Sequence, residues 1–403
     1  MPKVRIVEPD HQQIEIRFDD PDIVLPEDHP ARLLFEVVKT LDLRRFTEKA
    51  KAVEGRAGRT VRSPAMKLTL WLYAISQGIG SAREIERRIK HDDAYRWICR
   101  KLPITHHALS RFRVGHGEAL QKLMVDVLGS LLHKGLLSLE RVAQDGTRVR
   151  ASASAPSFRR LASLEAAREQ AELHLKAVLA EADDEGAAVA KAREFKARVE
   201  AAIATVKELQ QQRGYEKKEA RASTTDPDAR VMKMPDGGFR PGYNFQYAVA
   251  GDETGGPRTI VGVNVTNVGS DMGAIEPMIR DVAANVGCFP ALWLADANHA
   301  RHACLEYADR VGITVLMAVP DYELKGKKAV SDPVARWRER MKDPEALRLY
   351  RARAGLVELV NAQEKSRFGL NQVLVRGLEK VTSVAVLGAL AFNLLQHAAA
   401  LLG

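Results

Sequence analysis

The chain has 403 residues and a hydrophobic fraction of 46%, which excludes an intrinsically disordered protein and leaves length for two or three domains. Its formal net charge is +9, so a polyanion, and nucleic acid above all, is the partner that the charge favours. Cys99, Cys288 and Cys304 are widely spaced and form no CxxC, which argues against a disulfide framework and fits a reducing cytoplasm.

Residues 1–30 are polar and broken by prolines. They read as an irregular N-terminal arm, with no apolar run of the signal-peptide kind. From 31 to 137 the pattern is helical throughout, and this all-α region is expected to bind DNA. "GSAREIERRI" sets Ser81 three residues before Glu84, a capping box that opens a helix. "HDDAYRWICRK" is a short helix and "LPIT" a turn. Thr105 then caps "HHALSRFRVGHGEALQKLMVDVLGSLL". Short helix, turn and basic helix are the order of a helix-turn-helix. Its second helix puts Arg111 and Arg113 near its start, where such a helix meets bases or phosphates. An ordinary helical bundle with solvated arginines gives the same pattern. Leu109, Phe112 and Leu120 are expected in the core.

Residues 138–403 change character. "LERVAQDGTRVRASAS" starts as a buried strand and then places an acid, Asp145, within it. Burying a carboxylate without a partner costs several kcal/mol or forces protonation. From about 158 to 222 the chain is rich in Ala, Glu, Lys and Arg, and Val199, Ile203 and Val206 recur at helical spacing. This predicts two antiparallel helices turning at "DDEG", a coiled-coil-like insertion after the first strand. "GYNFQYAVAGDE" and "TIVGVNVTNV" form a hairpin across "DETGGPR". "SDMGAIEPMIRDVAANVG" is a helix capped by Ser270 or Asp271. "ALWLADANH" is a short buried strand ending at a second acid, Asp296. A helix, the strand "ITVLMAVP", a basic loop "DYELKGKKAVSDPVARWRERMKD" and the long helix "PEALRLYRARAGLVELVNAQEKSRF" follow. The C-terminal "VTSVAVLGALAFNLLQHAAALLG" is interrupted by Asn393, Gln396 and His397, so it is read as a core helix and no membrane partner is expected. The fold class expected is mixed α+β, an all-α domain followed by an α/β domain.

An acid at the end of a buried strand sits at the rim of its sheet, where ligands bind. If the strands of Asp145 and Asp296 are neighbours, their carboxylates repel unless a cation comes between them, and oxygen ligands suit Mg²⁺ or Mn²⁺. Glu358 is the candidate third acid. Arg351 lies seven residues before it and Lys365 seven after, so the three share roughly one helical face. Arg353, five residues away, points elsewhere on an ideal helix. Two ions about 3.5–4 Å apart activate an attacking oxygen and stabilise a leaving one in phosphodiester chemistry.

Four segments, "VAQDGTRVRASAS", "RPGYNFQYAV", "LWLADANH" and "YRARAGLVELVNAQEK…LVRGLEKV…ALAFNLL", together resemble the DDE transposases of bacterial insertion sequences. The Tyr-Arg-Glu-Lys signature of that family falls on Tyr350, Arg353, Glu358 and Lys365. The N-terminal "LDLRRF…GRTVRSPAMKLTLWLYAISQGIGSAREIERRIKHDDAYRWICR…HHALSRFR" looks like the helical domain preceding the catalytic core in one branch. The resemblance implies an RNase H-like catalytic domain over 138–403 that holds two Mg²⁺ ions, or Mn²⁺ in their place, through Asp145, Asp296 and Glu358. It implies a two-metal-dependent polynucleotidyl transferase that cuts at terminal inverted repeats and joins the freed 3′-hydroxyl to target DNA. It also implies Arg111, Arg113, Arg351, Arg353 and Lys365 as DNA contacts, a homo-oligomer on double-stranded DNA, and a bacterial cytoplasmic protein that joins the nucleoid when bound. The alternative is a catalytically inactive or domesticated DNA-binding derivative of the same fold; a structure-selective nuclease that cuts without joining is a third reading. Asn361 and Ala362 stand where many members carry Phe-Gly, and "DANHARH" replaces the more usual small and aromatic residues after the second acid. His299, His302 and Cys304 lack a second cluster to complete a zinc site. Asp226 and Asp228 read as turn and cap residues.

Overall fold

The computed structural model describes residues 20–48, 61–181, 186–212, 219–251, 255–321, 323 and 329–403. Most of the N-terminal arm, the "DDE" of the expected inter-helix turn, the "DET" of the hairpin turn, and residues 322 and 324–328 of the basic loop lie outside the described residues.

Seven helices open the chain: α1 (Pro21–Val24), α2 (Pro30–Thr40), α3 (Pro64–Ser76), α4 (Ala82–Arg88), α5 (Asp93–Cys99), α6 (His106–Gly115) and α7 (Gly117–His133). Their starts follow local chemistry. Ser81 Oγ accepts from the Glu84 N–H, Asp92 from Ala94 and Thr105 from Ala108. Helix α3 buries Leu68, Leu70, Trp71 and Leu72 at once, so it runs through the core rather than along its surface. Trp71 donates its indole N–H to the Leu109 carbonyl at 3.0 Å and ties α3 to α6.

The second region is built on one six-stranded sheet. β1 (Arg141–Arg150) leads to a small ribbon of β2 (Phe158–Arg159) and β3 (Ala222–Ser223). From that ribbon rise α8 (Leu161–Glu181) and α9 (Ala187–Gln211). Leu164, Ala167, Val199, Ala202, Ile203 and Val206 give these two helices a small core of their own. The chain returns through β4 (Arg230–Lys233), a strand the alternation of the sequence does not announce, then β5 (Phe239–Ala250) and β6 (Thr259–Thr266). α10 (Ile275–Val286), β7 (Leu292–Leu294), α11 (His302–Arg310) and β8 (Thr314–Leu316) follow. The chain ends with α12 (Asp332–Arg340), α13 (Pro344–Arg353), α14 (Leu359–Ser366) and α15 (Leu378–Leu402).

β1 is central. It pairs antiparallel with β5 on one side and parallel with β7 on the other, and β7 pairs parallel with β8. β5 also carries β6 and the short β4, both antiparallel. The two faces of β1 differ, because alternate residues point to opposite sides. Gln144, Gly146 and Arg148 look toward a polar layer. Asp145 looks toward the C-terminal helices, as the bond from Asn361 shows.

Four details depart from sequence expectation. α1 is a helical turn within the arm read as irregular, and α12 forms within the stretch read as a basic loop. Neither Ser270 nor Asp271 caps α10, whose start has no side-chain cap. Asp271 is buried and instead accepts from Asn244, Gln246 and Arg148, because the inward-facing amides of β5 need an acceptor more than the helix start does. The long helix expected over 344–368 is broken by a π-turn at Ala354–Glu358.

Helix α15 is apolar enough to resemble a membrane span, but 72% of its most apolar window is buried inside the protein. Asn393 explains one of its polar interruptions. Its amide accepts from the Ile260 N–H and donates to the Ile260 carbonyl, both at 2.8 Å, and so covers the outer edge of β6. Asp226 and Asp228 accept from the Gly377 and Leu378 N–H groups at the start of the same helix.

Gly369 locks the two regions together. Its φ is +70°, and an added Cβ would lie 2.5 Å from the Gly78 carbonyl oxygen. Gly369→Ala therefore combines backbone strain with a clash against main chain, and should lower the unfolding free energy by about 2–4 kcal/mol. Urea unfolding measures this; a loss below about 0.5 kcal/mol would mean that the loop moves freely.

Candidate active site

Strand β7 is three residues long and apolar, so it is held by burial along its body while its end projects from the sheet. In the parallel ladder Val142 pairs with Trp293 and Ala143 with Leu294. Two residues further along each strand stand Asp145 and Asp296, which brings the two acids side by side at one rim. Burial first, and then the charge of Asp296, push the Asp145 carboxyl above the usual range, against the opposing pull of Arg353. Burial also works against ionisation of Asp296, but hydrogen bonds from His299 and Asn298 and the charge of Arg353 outweigh it and hold Asp296 below the usual range.

Each acid is oriented by neighbours. Asp145 Oδ2 accepts from Asn361 Nδ2 at 3.0 Å. Asp296 caps the single turn Ala297–His299, accepting from the Asn298 N–H at 3.1 Å and from the Asn298 side chain at 2.7 Å. His299 is fully buried and bridges Asp296 through Nδ1 to Gln246 Oε1 through Nε2. Gln144 extends that layer, donating to Gln246 and accepting from the Trp293 indole. A polar residue before Asp145 is thus satisfied on the sheet's other face. The layer fills the space over Gly146, where an added Cβ would lie 2.2 Å from Gln246 Nε2.

Glu358 ends the π-turn, half exposed, and accepts from Arg353 at 2.7 Å. On a regular α-helix a five-residue separation swings two side chains roughly 140° apart. A π-turn closes i to i+5 and returns them to one face. Arg353 consequently points toward the acids, correcting the sequence expectation, and its charge acts on Asp145 and Asp296 while it binds Glu358. The same turn takes Arg351 off the Glu358 face assumed by the seven-residue spacing; Arg351 is exposed. Beyond the turn, Asn361 and Lys365 face Asp145. Burial lowers the Lys365 amine's pKa, and the Asp145 charge opposes that.

The sequence-derived residues therefore divide. Asp145 and Asp296 are adjacent, and Glu358 is paired with Arg353, whose charge also acts on both aspartates. Among the described residues no three His, Cys, Asp or Glu side chains lie close enough to hold a metal ion, and His299, His302 and Cys304 form no such group either. Asn361 still marks the site as fit for a cation. Its Oδ1 is buried without a hydrogen-bond partner, on a side chain whose amide nitrogen binds Asp145. All the candidate donors are oxygens, the set that suits Mg²⁺ or Mn²⁺. Arg111 is exposed on α6, whereas Arg113 turns inward over the Trp71 ring at 4.3 Å and donates to the Gly80 carbonyl. Sequence reasoning overlooked Asn361 and His299. Asn361 is one helical turn past Glu358, and that spacing was the available signal.

Residues 19–115 match the family described as Transposase domain (DUF772), and residues 319–398 match Transposase DDE domain. The second match contains Arg353, Glu358, Asn361 and Lys365, while Asp145 and Asp296 lie between the two. No curated protein and no solved structure matches the chain significantly. A transposase domain over the helical front and a transposase DDE domain over the helices that face Asp145 together support an insertion-sequence DDE transposase.

Proposed function

We propose that the chain binds the terminal inverted repeats of its insertion sequence as double-stranded DNA, cuts at the element's end and joins that end to target DNA. Asp145, Asp296 and Glu358 are its DDE triad, carried on an RNase H-like domain. They would hold two Mg²⁺ ions, with Mn²⁺ a possible substitute. When bound, these ions supply the Lewis acidity that phosphodiester chemistry requires. Water attacks the phosphodiester and releases a 3′-hydroxyl, which then attacks a phosphodiester of the target. Asn361 and the Asn298–His299 turn keep the aspartate oxygens oriented. Arg111, Arg351 and Lys365 contact phosphates, and Arg353 joins them once it leaves Glu358. Arg113 shapes the α3–α6 contact on which Arg111 stands. The working form is a homo-oligomer on DNA, in the cytoplasm and on the nucleoid.

The observation that carries this reading is the pair of aspartates set where the parallel pairing of β1 and β7 ends, Asp145 midway along β1 and Asp296 just past β7. A second reading, a catalytically inactive DNA-binding derivative, draws on the Arg353–Glu358 ion pair, which keeps the third acid occupied. Incubation with Mg²⁺, duplexes carrying the element's inverted repeats and a target plasmid separates the possibilities. Joined products are expected. Binding without cleavage supports the derivative, and cuts without joining indicate a nuclease.

A further inference from the structure

The third acid is not the group nearest to Asp145 on the C-terminal helices. That group is Asn361, on α14, whose amide nitrogen lies 3.0 Å from Asp145 Oδ2. The bond fixes the amide's orientation, because turning it over would set two oxygens against each other. Oδ1 is therefore the amide atom that Asp145 does not engage. Asn361 is only 8% exposed, and Oδ1 has no hydrogen-bond partner. A buried acceptor left unpaired costs about 1–3 kcal/mol. Such an atom calls for an occupant, and here the neighbouring charges say which. Asp145 and Asp296 repel each other across the same rim, so a cation is favoured there.

We infer that the Asn361 carbonyl oxygen is a fourth protein ligand of the divalent-cation site, joining Asp145, Asp296 and Glu358. This rests on the metal-dependent reading above. A neutral amide suits the position. It offers the hard oxygen that Mg²⁺ or Mn²⁺ takes, without adding a further negative charge beside Asp145. Its nitrogen meanwhile holds Asp145 in place, so one side chain both orients a ligand and supplies one.

The two roles separate on substitution. Asn361→Ala removes both the oxygen and the N–H donor. Asn361→Asp keeps the oxygen and loses the donor. The full chain is titrated with Mn²⁺ by calorimetry, and its melting temperature without metal reports folding. Asn361→Ala should weaken Mn²⁺ binding at least tenfold, and Asn361→Asp should bind Mn²⁺ at least as tightly as the parent. If Asn361→Asp weakens as much as Asn361→Ala, the residue acts only by positioning Asp145 and the ligand assignment falls. If Asn361→Ala binds like the parent while Asp145→Asn does not, the assignment falls and the metal site stands. A parent chain that takes up no Mn²⁺ overturns both. Should Asn361→Ala fail to fold, Asn361→Ser takes its place with the same expectation.

Discussion

Asp145→Ala, Asp296→Ala and Glu358→Ala should each cleave inverted-repeat DNA at least about 1,000-fold more slowly than the parent, with duplex affinity unchanged within about twofold. The first part follows from the rim geometry. Asp145 in β1 and Asp296 just past β7 stand where the two strands stop pairing, and among the described residues no further His, Cys, Asp or Glu side chain completes a group of three with them. The second follows from where the acids lie. They face each other, Arg353 and Asn361, rather than the exposed surface of α6 that carries Arg111. Rates on labelled duplex and gel-shift affinities measured on the same preparations check both parts. Parental cleavage by Asp296→Ala would remove the triad assignment. Glu358→Ala carries an internal control, because it also frees Arg353. If Glu358 served only to hold Arg353, Glu358→Gln, which keeps a hydrogen-bond acceptor for that arginine, should retain most of the cleavage; as a metal ligand it should lose it.

A second large effect should appear in the pH dependence of stability. Glu364 is 1% exposed on α14, one oxygen has no hydrogen-bond partner, and the other meets the Tyr247 hydroxyl at 3.4 Å. It sits against bare backbone of α15, where a Cβ at Gly388 would lie 2.8 Å from its Oε2. Burial raises its pKa to about 8, with the Tyr247 bond a weaker opposing influence. The sign follows from proton counts. Below the ordinary carboxyl range both folded and unfolded chains hold the proton and no penalty exists. As pH rises the unfolded chain releases it while the folded chain does not, so stability falls until pH reaches about 8 and then levels off. The loss should amount to several kcal/mol. Glu364→Gln keeps the shape and removes the titration. Urea midpoints from pH 5 to pH 9 should fall more steeply for the parent than for Glu364→Gln, which becomes the more stable at the alkaline end. Parallel curves would show that Glu364 is ionised in the folded chain or reached by water. Asp145, also pushed up by burial, contributes to both curves alike and drops out of the comparison.

What could be read in advance depended on how far apart in sequence the deciding atoms are. The helix starts at Ser81 and Thr105 need only a hydroxyl and an N–H three residues away, and the structure has both bonds. The mixed helical and sheet composition was legible for a similar reason, since alternation and helical spacing are local. Asp271 was misread as a cap because its real partners, Asn244, Gln246 and Arg148, lie on other strands. Arg113 was read as a DNA contact because Trp71, the ring it covers, is 42 residues away. The π-turn defeated the site's finer reading. Helical-face arguments assume about 100° per residue, and one extra residue in a turn moves every later side chain to a new face. Arg353 and Glu358 were thereby judged to diverge, whereas they pair. Asn361 looked like an ordinary polar residue on a helix, and only the register of β1 against α14 gives it a partner.

The same pairing sets the central question, whether Glu358 leaves Arg353 to join the aspartates on a cation. The most direct measurement is an anomalous-difference map from crystals of the chain grown with Mn²⁺ and inverted-repeat duplex. Manganese peaks within ligand distance of Asp145, Asp296 and Glu358, with Arg353 turned to a phosphate, are the predicted result. Glu358 still paired to Arg353 in the DNA-bound chain, with no manganese between the two aspartates, would contradict the account.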